Sequence, residues 1–467
     1  MARSFVLGQS SSDMGGTPLP RLPAVAGGTG VRPVGSPEGA SQQKALRGME
    51  QFPKRIIVAG GGAAGYFAAI ACAENLAARR GTGEPASVVV YEATPYPLAK
   101  VRISGGGRCN VTNACVDPRT LVRFYPRGGR ELLGPLHRWG PRETIDWFAA
   151  RGVVTKAEAD GRVFPVTDDS QTIIDCLQRT ATAAGAQVVT SHGVADARPL
   201  AAGGYEVALI SGGTVACDRL LLATGGNPAS AGLAIARRLG HTIEPPVPSL
   251  FTFQLDDPRL TGLAGLSVER AAVRVVGTKL HEEGPLLVTH WGLSGPAILK
   301  LSAWGARELA ACAYRFALTV NWAPPHTRES LLHELTAARM RHPRKQVTTF
   351  CPVALPLRLW ERLVEAARIA PTAPWTSVSN DALGTLAAQV AAGEFAIAGK
   401  STNKEEFVTC GGVRLSEVDF KTMESKRCPG LYFAGELLDI DGLTGGYNFQ
   451  AAWTTGWLAG QAMAAPG

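Results

Sequence analysis

The chain has 467 residues, of which 45% are hydrophobic and 18% charged; that is enough apolar content for a large core and excludes a chain disordered throughout. No stretch of about 18 apolar residues is free of glycine clusters and charge, which argues against a helical membrane span; the most apolar window, 56–78, carries Gly60, Gly61, Gly62, Gly65 and Glu74. Nine cysteines with no CxxC pair argue against a disulfide framework, a zinc ribbon or an iron–sulfur site, and for a reducing, cytoplasmic compartment.

The formal net charge is +8, with two readings open: plain solubility, or a modest attraction to RNA or another polyanion. Residues 1–53 are rich in Gly, Ser, Pro and Ala and show neither helical nor strand period, so disorder is expected there. They have the character of an organelle transit peptide, which would place the protein in a stroma or matrix, or of an over-extended start before Met49.

The first structural signal is the apolar run Arg55–Ala59, followed at once by Gly60-Gly61-Gly62-Ala63-Ala64-Gly65 and an Ala-rich helix to Arg80. In such a strand–GxGxxG–helix unit the first glycine makes the turn, the second admits a pyrophosphate, and the third lets helix and strand pack closely. The phosphates then sit on the helix N-terminus. A second apolar strand, Ser87–Tyr91, ends in Glu92, placed to accept hydrogen bonds from a ribose. Two further strand-to-glycine elements follow, Leu220–Gly226 with Thr224 and Gly225, and Pro429–Glu436 with Gly435 and Glu436. After the latter comes Gly442–Gln450, with Gly446, Asn448 and Phe449, and then a helix over 451–464. A chain that opens and closes on nucleotide-like elements suggests one long ligand held at both ends, and FAD is that ligand. The helix start near Gly446 would face the flavin carbonyls, where negative charge grows on reduction. No second strand–GxGxxG–helix unit is found, so NAD(P)H is expected only as a transient donor.

Lys100-Val-Arg-Ile-Ser104-Gly-Gly106-Gly-Arg108-Cys109-Asn110-Val-Thr112-Asn113 is the most specific stretch. It resembles the SGGGRCNxTN signature of an aminoacetone-oxidase-like family of FAD-binding oxidoreductases that includes a flavoprotein linked to bile-acid dehydroxylation. The loop at 223–226, Thr289–Pro296 and 435–450 match the same family, and the resemblance covers about residues 54–467. It implies an α/β fold: a two-part Rossmann-like FAD-binding domain interrupted by a β-rich, barrel-like domain and a small helical subdomain. The division expected is 54–245 for the first FAD part, 246–325 for the β-rich insert, 326–393 for the helices, 394–427 for the returning β-rich part and 428–467 for the second FAD part. The residues agree: strand-like alternation runs through 249–320, and helical periods through 328–340, 357–369 and 381–392. Pro245–Pro248 reads as a crossing linker. The loop after Gly226 is shorter than in many members.

Gly393–Ser401 has five residues between its glycines where a phosphate loop needs four, and reads instead as a β-turn. The eight histidines are scattered, so no metal is expected. His290 and Ser294 fit either a tight turn or a lip above the flavin. Cys109 is either a small packing residue or a proton donor to a substrate carbon, with Arg108 beside it favouring the thiolate. Arg108, Cys109 and Asn110 are thus the catalytic candidates. The cofactor candidates are the glycine-loop residues and Glu92, with Lys100, Ser104, Gly106, Arg108, Asn110, Thr112, Thr224, Gly225, Gly435, Glu436, Gly446, Asn448 and Phe449. Three functions follow: an FAD-dependent oxidoreductase on a small molecule, linked to NAD(P)H or oxygen; a flavin-dependent reductase of pyrimidines in ribosomal RNA; or a non-catalytic redox sensor.

Overall fold

The computed structural model describes residues 54–80, 86–401 and 408–466. The expectation for 1–53 lies outside the described residues.

Continuous apolar runs make strands buried on both faces, and such strands belong in a parallel sheet. Ile56–Ala59, Val88–Val90 and Leu220–Leu222 are all buried. They sit in a seven-stranded sheet whose order is Val418–Asp419, Glu424–Ser425, Leu431–Phe433, Arg219–Leu222, Arg55–Ala59, Ser87–Tyr91, Gln187–Val189. The last five run parallel, and the first two add an antiparallel edge. The strand pairs at 418–425 therefore extend this sheet, although the sequence placed them with the β-rich part. The Cys428–Gly430 turn folds them back beside Leu431–Phe433.

The helices Ala63–Arg80 and Tyr447–Met463 pack on each other at small residues. A Cβ on Gly456 would lie 2.6 Å from the Ala64 carbonyl, and one on Gly460 would strike that of Ala68. Phe67, Trp139, Trp147, Phe148, Trp453 and Trp457 fill the space beside that contact.

A second seven-stranded sheet, wholly antiparallel, runs Gly393–Ile397, Phe316–Asn321, Ser267–Val275, His281–Thr289, Gly292–Ser294, Thr252–Gln254, Gly399–Ser401. It has its own core, shared with the helices Arg328–Arg341, Leu357–Ala366 and Asn380–Ala392. The 393–401 stretch supplies two strands of this sheet rather than a lone turn. Pro245–Pro248 is likewise no free linker: Ile243–Ser249 pairs with Val408–Val413, and the register slips between Glu244 and Val247. Pro245 and Pro246 fall in that slip, where a missing N–H breaks no ladder bond.

One buried polar cluster ties the antiparallel edge to the chain at 241. Ser425 Oγ accepts from the N–H groups of Arg427 (3.0 Å) and Cys428 (2.8 Å) and lies 2.9 Å from His241 Nε2. With both lone pairs taken, the hydroxyl proton points to Nε2, so His241 carries its proton on Nδ1 and donates it to Glu417, 3.1 Å away. Burial lowers the His241 pKa, against the pull of Glu417. A second proton, at Nε2, would face an oxygen with no acceptor left. The folded-state pKa lies below the unfolded value of about 6.5, so stability is complete above that pH and falls as the unfolded chain takes up the proton first. The melting temperature should drop between pH 7.5 and 5.5. His241→Asn should unfold about 1–3 kcal/mol more easily at pH 7.5 and show a shallower drop; an unchanged pH slope in the variant would reassign the titration to other groups.

Candidate functional site at the carboxyl ends of the parallel strands

In an open parallel sheet the loops at the carboxyl ends of the strands form a crevice where the strand order reverses. Here the reversal flanks Arg55–Ala59, with Ser87–Tyr91 on one side and Arg219–Leu222 on the other. The register brings Ala59 level with Tyr91 and Leu222, and Leu222 level with Phe433. Gly60–Gly65, Glu92, Ala223–Gly226 and Gly435–Glu436 therefore emerge side by side from one edge.

Each glycine of the first loop meets a different surround. A Cβ on Gly60 would lie 2.5 Å from the Ala223 carbonyl, and one on Gly65 would collide with the Gly60 carbonyl. A Cβ on Gly62 meets nothing within 4 Å, and the backbone there is not left-handed. The protein itself thus gives no reason for glycine at 62. Ala63 and Ala64 open the helix behind it. Glu92 accepts from the Gly61 N–H at 2.7 Å and from the Thr94 N–H and hydroxyl at 2.9 and 2.8 Å, which turns its carboxylate toward the loop. Thr224 and Ser230 hydroxyls bond to each other, and a Cβ on Gly225 would also point into open space.

Lys100 forms an ion pair with Glu436, which joins the segment after Ser87–Tyr91 to the segment after Leu431–Phe433. The Gly435 N–H donates to Thr455 at 3.0 Å. Beyond Lys100 the signature loop leaves the helix: Ser104 is extended, and Gly105, Gly106 and Gly107 take φ of 58°, 70° and 84°. The Ser104 hydroxyl bonds back to the Val101 carbonyl at 3.1 Å.

The polar residues that follow turn inward. Asn110, oriented so that its oxygen accepts from the Gly446 N–H at 2.8 Å, donates to the Thr112 carbonyl at 3.0 Å. The Thr112 hydroxyl donates to Gln450 at 2.6 Å, Asn113 Nδ2 donates to the Gly445 carbonyl at 3.0 Å, and Trp453 Nε1 donates to the Val111 carbonyl at 2.9 Å. Asn448 closes its own loop, accepting from the Gly442 N–H at 2.8 Å and donating to the Gly442 carbonyl at 2.9 Å. Phe449 stacks on Trp453.

The structure fits the packing reading of Cys109 and the tight-turn reading of His290 and Ser294, and it corrects the expectation that Arg108 favours a thiolate. Cys109 is fully buried in the first core with φ of 61°, and burial pushes its thiol up to about 12 against a weaker pull from Ser104. Arg108 does not favour a thiolate there, because its guanidinium points to Glu158 (2.7 Å) and Asp168 (3.5 Å) and lies over the Phe164 ring. His290 and Trp291 are exposed at the tip of a hairpin, and Ser294 accepts from Thr252 at 2.9 Å within the second sheet.

Sequence reading missed a buried charge that joins the strand Ile243–Ser249 and the helix Pro296–Trp304 to the loop before Gly446. Arg127 forms a two-pronged ion pair with Asp441, donates to the Ala303 carbonyl at 2.6 Å, and Ser249 donates to Asp441 at 2.7 Å. Burial pushes the Asp441 carboxyl up, and Arg127 and Ser249 pull it back. Asp439 pairs with Arg307 at 2.6 Å. Partners 314 and 192 residues apart leave no local pattern to find. Among the described residues no group of three or more His, Cys, Asp or Glu is arranged to hold a metal ion, and no helix is long and apolar enough to cross a membrane.

Residues 54–462 match the family described as the HI0933-like protein Rossmann domain. The chain belongs to that family. It is an FAD-binding family of oxidoreductases, so the oxidoreductase class and the cofactor stand as expected. A 3-dehydro-bile acid delta(4,6)-reductase of Clostridium scindens is 30% identical over 88% of this chain and 99% of its own. A ribosomal RNA dihydrouridine synthase of Escherichia coli K12 is 31% identical over 89% of this chain and 99% of its own. A solved structure of a 3-ketosteroid-delta4-(5alpha)-dehydrogenase from Rhodococcus jostii RHA1 is 16% identical, with a TM-score of 0.48, over 88% of this chain and 96% of that one.

For this HI0933-like protein the glycine loop yields a clean test. Gly62→Val fits the polypeptide, whose atoms leave that space open, so the variant should fold with little change in melting temperature and purify with its flavin lost. Gly65→Val, which collides with the strand end, should fail to fold. A Gly62→Val protein with a full complement of flavin would show that no dinucleotide crosses this loop.

Proposed function

We propose that this chain is an FAD-dependent reductase of a carbon–carbon double bond conjugated to a carbonyl. The observation that carries the dinucleotide site is Gly62, a half-buried glycine at a helix start whose missing side chain faces open space while its neighbours in the loop are packed. The pyrophosphate would lie there, on the N–H groups before Ala63 and Ala64. The Glu92 carboxylate, already turned to the Gly61 N–H, would take the ribose hydroxyls. Gly106 and Gly225 would give the remainder of the cofactor close access to the backbone. Lys100 and Glu436 hold the two sides together. The start of the Tyr447–Met463 helix would present partial positive charge to the flavin's pyrimidine edge. Bound FAD supplies the hydride, with NAD(P)H as its transient donor.

The reaction class follows from what the relatives' names share. A delta(4,6)-reductase of a 3-oxo steroid and a synthase of dihydrouridine both saturate a ring double bond activated by a carbonyl. Asn110, Thr112 and Asn448 serve this reading as positioning residues, since the amides of Asn110 and Asn448 are spent on backbone groups and the Thr112 hydroxyl on the Gln450 side chain. Cys109 serves as a packing residue: its thiol is shielded even with the cleft open.

The test is anaerobic. Holoprotein reduced with NADPH, then mixed with a steroid dienone or with ribosomal RNA, should be reoxidised with one double bond saturated per flavin. Reoxidation by oxygen alone would overturn the reductase reading. Cys109→Ala should lower stability by about 1–2 kcal/mol and leave both half-reactions at wild-type rates in stopped flow. A slowing of about 10²-fold in reoxidation by substrate would restore the thiol as proton donor.

A further inference from the structure

We infer that the helical segment 118–142, beside the flavin end of the site, is an RNA-binding face, so that the double bond reduced is one carried on an RNA chain. The inference rests on the reductase reading above for the chemistry, and on charge and geometry for the partner.

The charge is not spread evenly. Between residues 100 and 151 the chain carries ten basic and four acidic side chains, an excess of +6. The net charge of +8 for the whole chain leaves +2 for residues 1–53 and none for the remaining body. Solubility alone would not gather the excess of 414 residues into one eighth of their length.

Four of those cations are spent in ion pairs: Lys100 with Glu436, Arg108 with Glu158, Arg127 with Asp441, and Arg151 with Glu74. Arg119, Arg123, Arg130, Arg138 and Arg142 are exposed, and none has a carboxylate within 4 Å among the described residues. The nearby acids are partly occupied. Asp117 caps the Pro118–Leu121 turn, and Glu143 caps the Pro141–Ala149 helix through the Gly140 N–H.

Their spacing makes a surface. Arg119 lies in the short helix Pro118–Leu121 and Arg123 in the 3-10 turn Val122–Phe124 that directly continues it. On the Gly129–Arg138 helix, Arg130, Gly134, His137 and Arg138 form the exposed stripe, while Leu132 and Leu136 are buried. That stripe alone runs about 12 Å along the helix. A single small anion cannot engage both helices, whereas a chain of phosphates can, and release of its counterions drives the binding.

The face is fixed to the site. The Phe124 ring stacks on Tyr447 at 4.6 Å, the first residue of the C-terminal helix, and Tyr125 donates to the Tyr447 carbonyl at 2.7 Å. The Leu443 N–H donates to the Phe124 carbonyl at 2.9 Å, and Arg127 holds Asp441. A strand lying on Arg119, Arg123 and Arg130 therefore runs past the helix start that faces the flavin. Exposed guanidinium groups bind phosphates in pairs of hydrogen bonds.

The test uses holoprotein and deproteinised bacterial ribosomal RNA. The triple variant Arg119→Gln, Arg123→Gln, Arg130→Gln should bind RNA at least about tenfold more weakly, and its plot of log K against log salt should be shallower by about 2–3, near 0.7–0.9 per cation removed. Flavin content and reduction of a small conjugated enone should stay at wild-type levels. A control triple at exposed arginines elsewhere, Arg237→Gln, Arg274→Gln, Arg344→Gln, should leave RNA affinity unchanged. Wild-type affinity and slope in the first triple, or equal losses in both, would overturn the proposal. Absence of enone turnover in the wild type would count against the reductase reading alone, since RNA binding is read separately.

Discussion

The site depends on a clasp between two glycine-rich stretches more than 330 residues apart. Asn110, Val111, Thr112 and Asn113 hold Gly446, Trp453, Gln450 and Gly445 through hydrogen bonds that are buried or nearly so. Each such bond adds only about 1 kcal/mol net, but leaving one partner unmet in the interior costs about 1–3 kcal/mol. The clasp is therefore closed as a whole or opened at large cost. Closing it seats the Gly446 backbone against Thr112, too near for any side chain at 446. It also sets the direction of the Tyr447–Met463 helix, and with it the packing of Gly456 and Gly460 on the first helix. One set of polar contacts thus aligns the glycine loop at 60–65, the signature loop and the start of the C-terminal helix.

That clasp also marks where sequence reading stops. The strands and helices were legible because burial imposes period. Arg55–Ala59 appears as read, and helices expected at 328–340, 357–369 and 381–392 form at Arg328–Arg341, Leu357–Ala366 and Asn380–Ala392. The glycine loop was legible because steric need selects glycine. Polar residues give no such signal. An asparagine that holds a cofactor and one that holds a helix start look alike in sequence, so Asn110, Thr112 and Asn448 read as ligand contacts, while the two amides are bound to backbone and the Thr112 hydroxyl to Gln450. Cys109 carried the same ambiguity, packing residue or proton donor, and in the structure its thiol lies buried in the core. Pro245 and Pro246 read as a linker because a proline removes a donor, yet at a bulge that donor is not needed.

Long-range charge was the least legible. Lys100 with Glu436, Arg127 with Asp441, and His241 with Glu417 join positions 336, 314 and 176 residues apart. Nothing local distinguishes these side chains from solvated ones. Two of the pairs bracket the site. Lys100 and Glu436 bridge its mouth from within the parallel sheet. Arg127 and Asp441 tie the loop before Gly446 to the strand Ile243–Ser249 through Ser249 and to the end of the helix Pro296–Trp304 through the Ala303 carbonyl. The helix Pro296–Trp304 belongs to the second core through Ala297, Ile298 and Leu301 and to the first through Ala303, so the charged joint reinforces a small apolar contact between the two.

A charged joint has consequences that an apolar one lacks. Removing either partner strands a buried charge, which costs about 3–5 kcal/mol, although the intact pair adds little over well-packed apolar residues. Its value is therefore directional. Arg127 can satisfy the Asp441 carboxylate and the Ala303 carbonyl together in one arrangement of the two sheets, and Asp439 reinforces it through Arg307. Both carboxylates sit in the 439–446 loop that leads to the helix start at Gly446. Any shift of the second sheet relative to the first would be felt at that helix start before it was felt in either core. The same loop is pinned on its other side by Phe124 and Tyr125, from the segment that carries the exposed arginines. The helix start at Gly446 is thus held directly by the signature loop and, through the 439–443 loop, by Ser249, Arg127 and the Phe124 carbonyl, so its position is fixed by contacts from three separate parts of the chain.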